Sequence, residues 1–197
     1  MEKFFALLSK TKHAWICALV GFALVIGMQC ASFTTQCFVN KGFDLYSFGV
    51  FFFEVLFCTL TIIGLAKKNK KWVLFVLCIF KVYDGVHYPL MCLQEAHEWQ
   101  EMTTVHQKCG FIFFTIASIL LLFAFACFVL EHFLNKEVFW NLMKLALLVS
   151  AAFMVAGFIS YMITTSVEQL PFKVVLEPLC LAILNVAMFF GCNYVED

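Results

Sequence analysis

Residues 45–92 read LYSFGVFFFEVLFCTLTIIGLAKKNKKWVLFVLCIFKVYDGVHYPLMC. Two apolar runs, Leu45 to Ala66 and Trp72 to Cys92, stand on either side of the basic turn Lys67-Lys68-Asn69-Lys70-Lys71. Each run is about 20 residues long, the length a helix needs to cross a hydrocarbon core about 30 Å thick. Lipid offers no partner for backbone N–H and C=O groups, so a spanning segment must be a helix or part of a closed barrel. These runs are too long for barrel strands and lack their alternation of apolar and polar residues. The stretch therefore predicts a helical hairpin in a membrane, with Glu54 in its first arm and Lys81, Asp84 and His87 in its second.

Carried outward, the same reading finds four more runs: Ala14 to Ser32, Cys109 to Leu130, Leu142 to Ile163 and Phe172 to Phe190. The expected fold class is all-α: a polytopic integral membrane protein in which residues 1–197 form one domain, a single bundle of six transmembrane helices. Composition agrees, since 63% of the 197 residues are hydrophobic, 13% are charged, and mean hydropathy is +0.94. Six spans of about 20 residues leave connections too short for a soluble catalytic domain. A formal net charge of zero argues against nucleic acid as a partner. Every basic residue is Lys, so bidentate guanidinium recognition of phosphate or carboxylate is excluded. There is no P-loop, no G-x-S-x-G and no C-x-x-C, so an ATPase, a serine hydrolase of that pattern and a thiol oxidoreductase are all unsupported. The chain leans away from being an enzyme.

Lys placement sets an expected orientation. Lys3, Lys10 and Lys12 precede the first span, Lys67, Lys68, Lys70 and Lys71 join the second to the third, and Lys136 and Lys144 flank the fourth connection. With six spans these fall on one side, and only Lys41, Lys108 and Lys173 on the other. The positive-inside rule then puts both termini in the cytoplasm and the protein in the cell membrane, with Trp72 and Trp140 at the inner interface and Trp99 in the outer loop. A cleaved signal peptide is disfavoured: Gln29 precedes Cys30, Gln36 precedes Cys37, and no small-x-small cleavage site follows the first apolar run.

Ionisable side chains at bilayer depth are costly and are functional candidates by default. Asn69 is the centre of the hairpin turn, so Glu54, 15 residues before it, and Asp84, 15 residues after it, should lie level. Lys81 is one turn nearer the cytoplasm. At 100° per residue Lys81, Asp84, Gly85, Tyr88 and Cys92 form one stripe, with His87 on its flank. The expected arrangement pairs Lys81 with Asp84 at i,i+3 and with Glu54 across the hairpin, leaving one carboxylate in excess. That carboxylate, His87 and Tyr88 would contact a polar solute or relay protons. Glu177, beside Pro178 near the outer end of the last span, could border the same pocket.

Other features are weaker. Cys92 with Cys109 could close the outer loop by a disulfide, and His97 with Glu101 shows only sparse metal-like spacing, so no metal site is expected. Ala14, Ala18 and Gly21 make a small-residue face on the first span through which a membrane protein partner could approach. In length, six helices and the Ala14-x-x-x-Ala18 face, the chain resembles the substrate-binding subunits of energy-coupling-factor vitamin transporters. That resemblance implies a partner ATPase complex. The expected function is a small solute-binding or transport subunit embedded in the lipid bilayer. The alternative is a non-catalytic membrane scaffold or effector whose polar centre is structural.

Overall fold

Helix is the conformation that lipid-facing apolar sequence dictates, and the computed structural model is helical throughout the residues it describes, 13–39, 45–69, 72, 76, 104–164 and 172–196, apart from short turns. Five helices run in order: α1 (Ala14–Val39), α2 (Leu45–Ala66), α3 (Val105–Leu134), α4 (Glu137–Thr164) and α5 (Phe172–Glu196). Among the described residues α1, α3, α4 and α5 contain stretches long and apolar enough to cross a membrane, and α2 carries a shorter apolar stretch, Phe51–Ala66. The sixth expected helix, Trp72 to Cys92, lies outside the described residues except for Trp72 and Val76, which are both helical.

The bounds of α2 coincide with its apolar run, whereas the other helices outrun theirs. At about 1.5 Å per residue, the 30 residues of α3 are longer than a hydrocarbon core, so their polar ends reach the headgroup region. Local chemistry sets those ends. Thr104 and Gln107 form a reciprocal capping box: the Thr104 hydroxyl accepts from the Gln107 N–H, and the Gln107 side chain accepts from the Thr104 N–H. Asn135 closes α3 in the left-handed region at φ 50°, donating its N–H to the Glu131 carbonyl at 2.7 Å. Outward faces are largely apolar: Val20, Leu24, Phe52, Ile119, Phe123, Ile159 and Ile163 are all exposed. Helices that are apolar all round need a lipid solvent, and the protein is membrane-embedded.

The chain divides into two compact units, one made of Met1–Leu77 with Val186–Asp197 and the other of Cys78–Asn185. In the first unit α1 and α2 run antiparallel. Phe33 near the end of α1 stacks on Phe51 near the start of α2, with ring centroids 4.8 Å apart. At the opposite end Gly191 of α5 packs so closely that a Cβ there would lie 3.3 Å from Leu65 Cδ2 and 4.0 Å from Ala18 Cβ. Three helix ends thus meet at one level: the start of α1, the end of α2 and the end of α5. Ala14, Ala18 and Gly21, the small-residue face of α1, are buried, and Ala18 lies against the chain's own last helix.

The second unit is built on the α3–α4 hairpin, joined by Asn135 and Lys136 alone. Its seam is made of small residues, Ala117, Ser118 and Ala124 on α3 and Ala146, Ser150 and Ala151 on α4, all buried. Small side chains let two membrane helices approach until dispersion forces hold them. Ser150 Oγ donates to the Ala117 carbonyl at 3.0 Å, and Gly157 leaves room for the Phe114 ring, whose Cε1 would be 2.8 Å from a Cβ there. Trp140, expected at the interface, is instead 2% exposed. It shares the buried stripe of α4 with Met143, Leu147, Ala151 and Met154, at the spacing that keeps one helix face against its neighbour.

Candidate functional site

Glu54 sits near the midpoint of α2 and is 7% exposed. Its neighbours along the buried face, at i+4, i+7 and i+11, are Cys58, Thr61 and Leu65, so a short polar stripe runs down the helix before apolar packing resumes. Each polar group on this stripe solves its hydrogen-bonding problem differently. The Thr61 hydroxyl bonds back to the Phe57 carbonyl at 2.9 Å, within its own helix. The Glu54 carboxyl cannot do so and reaches across to α1, where Gln29 Nε2 donates to its Oε2. The Cys58 thiol is buried directly beneath.

In the sequence Gln29 is an amide near the end of an apolar run, noted there only as the residue before Cys30. Its position relative to Glu54 follows from the antiparallel register that places Ala18 by Leu65 and Phe33 by Phe51. An amide is suited to this role because it donates and accepts at once, so it can hold the carboxyl and still offer an oxygen to a third group.

Of the other expected site residues, Lys81, Asp84, His87 and Tyr88 lie outside the described residues, and Glu177 lies within α5. The suggested pairing of Lys81 with Glu54 and Asp84 therefore stands on the sequence. His97 and Glu101 also lie outside, as does Cys92, while Cys109 carries a free thiol. Two further charged residues are buried in the second unit, Glu131 and Lys144, each 8% exposed. Glu131 lies in the last turn of α3, just past the apolar run that ends at Leu130, and Lys144 lies on α4 within the run expected from Leu142.

No family model matches the chain, and neither a curated protein nor a solved structure matches it. The chemistry available at Gln29, Glu54, Cys58 and Thr61 is that of a compact polar patch in an apolar wall: one carboxyl, one amide, one thiol and one hydroxyl, with no nucleophile–base pair among them.

Proposed function

We propose that this is a small solute-binding or transport subunit whose polar centre is built around Glu54. The observation that carries the reading is the Glu54 carboxyl held by Gln29 from the facing helix, at mid-span and away from both ends. A carboxyl at that depth is far costlier than the apolar residue that packing alone would require. Its hydrogen-bond donor on a second helix makes it a site that a polar solute or a proton can engage between the two.

The meeting of helix ends in the first unit supports the six-span topology. With the ends of α2 and α5 on one side of the membrane, an even number of crossings must lie between them. Helices α3, α4 and α5 supply three, and the run Trp72 to Cys92 is the apolar segment suited to a fourth. On the sequence reading of that run, Lys81, Asp84, His87 and Tyr88, with Glu177, remain the further candidates for the proposed site. The Lys distribution supports a plasma-membrane protein with both termini cytoplasmic.

A second reading is favoured by the same bond. Gln29 and Glu54 already satisfy one another in part, which is what a structural clasp between two helices requires, and the protein would then be a membrane scaffold. Dicyclohexylcarbodiimide, which attacks protonated carboxyl groups in apolar surroundings, separates the two on the purified full chain. A working site gives adduct at Glu54, absent in Glu54→Gln, and releases a small molecule on extraction that Glu54→Gln does not retain. A chain that neither reacts nor releases any solute is a scaffold.

A further inference from the structure

The turn that ends α2 contains a choice of residue that orientation alone does not explain. Lys68 N–H donates to the Leu65 carbonyl at 3.0 Å and Asn69 N–H to the Gly64 carbonyl at 3.1 Å. This is the paired capping pattern in which the residue after the helix adopts the left-handed conformation, usually as Gly. Here that residue is Lys68, at φ 47°, where a side chain costs roughly 1–2 kcal/mol. The equivalent position after α3 is held by Asn135, a residue that tolerates the region. A positive charge that only had to mark the inner side could sit at any neighbouring position without strain.

What Lys68 gains there is a defined place. Its Nζ lies 4.9 Å from the centre of the Tyr194 ring on α5, and Lys67 beside it is exposed and pairs with no carboxylate among the described residues. Trp72 is fixed nearby: its backbone N–H donates to Asn69 Oδ1 at 3.1 Å and its indole N–H to the Leu60 carbonyl at 3.1 Å, and the residue is 40% exposed. In the sequence Lys70 and Lys71 lie between Asn69 and Trp72, and Lys10 and Lys12 lie just before α1, whose start belongs to this same end. The acidic residues toward this end are Glu196 and, in the sequence, Asp197 and Glu2. The balance is basic, and it is framed by two aromatic rings of the type that settle at a membrane interface.

We propose that Lys67 and Lys68, with Trp72 and Tyr194, form a surface that binds the phosphate headgroups of anionic phospholipids and so selects the lipid around this end of the protein. Ammonium groups suit this task, as point charges that follow a mobile headgroup. The rings fix the depth at which those charges meet it. The inference is independent of whether Glu54 binds a solute.

The test uses the full chain reconstituted in phosphatidylcholine vesicles with a trace of spin-labelled phosphatidylglycerol or spin-labelled phosphatidylcholine. Electron paramagnetic resonance then gives the relative association of the two lipids. The native chain should prefer the anionic lipid, and each lysine removed should lower that preference by up to about fivefold. Lys67→Gln removes a charge from an ordinary exposed position, and Lys68→Gly removes one while placing the residue best suited to the backbone there, so neither depends on a risk to folding. Loss of preference in both variants upholds the surface. Equal association of the two lipids with the native chain, or full preference retained in both variants, overturns it.

Discussion

The two helical hairpins, α1–α2 and α3–α4, face the same solvent and solve the same packing problem with different chemistry. In α3–α4 small residues bring the backbones together, one hydroxyl crosses to a carbonyl, and rings such as Phe113 and Phe153, 5.9 Å apart, fill the flanks, while the buried charges Glu131 and Lys144 lie toward the turn rather than at mid-helix. In α1–α2 the middle of the seam holds a carboxyl and an amide, with stacked phenylalanines at one end and Gly191 of α5 at the other. A hairpin needs only the first solution to be stable in lipid. The second sets a carboxyl at mid-helix, where packing alone would need only an apolar residue, and the proposed function rests on that difference.

The contrast can be broken by mutation, with unfolding of the full chain in detergent micelles as the common readout. The largest loss belongs to the α3–α4 hairpin. Trp140→Ala should remove about 3–5 kcal/mol of stability, and a loss near zero would mean that α3–α4 is not held by its apolar seam. Gln29→Leu should cost about 1–3 kcal/mol, because the buried Glu54 carboxyl loses the hydrogen bond that Gln29 Nε2 donates. Adding Glu54→Leu should recover part of that cost, and strictly additive losses would show that the two residues are not coupled.

Close approach gives the next test. Gly157→Ala should cost about 1–3 kcal/mol by forcing the Phe114 ring aside. Gly27→Ala, where an added Cβ meets nothing within 4 Å, should be neutral or stabilise by up to about 1 kcal/mol. Equal effects at the two glycines would contradict the tight seam. The smallest change expected is Ser150→Ala, about 0.6 kcal/mol, the usual worth of one hydrogen bond between membrane helices. A loss as large as that of Gln29→Leu would erase the distinction between the hairpins.

Much of this could be anticipated from residue order. Glu54 stood out because a carboxylate is rare in an apolar run, and α2 was bounded correctly because charged residues flank it closely. Helix ends were harder. The Thr104-x-x-Gln107 capping box was present in the sequence, yet apolar length started the helix at Cys109, since hydropathy reports the hydrocarbon core and not the turns beyond it. Glu131 falls just outside the apolar run ending at Leu130 for the same reason, although α3 includes it. Gln29 escaped notice because an amide carries no charge and only ionisable side chains were singled out at depth, although its hydrogen-bonding need in lipid is comparable in kind.

Residue order alone sufficed for the class of fold and its solvent, because in lipid each backbone amide must find a partner within its own segment, and that condition is local. Which polar groups meet is not local. Period 3.6 assigns each residue to a face of its helix, but the rotation of one helix against the next and their axial register come from the packing of many side chains at once. That packing set Gln29 opposite Glu54, closed α5 over the small face of α1, and brought Lys68 to Tyr194.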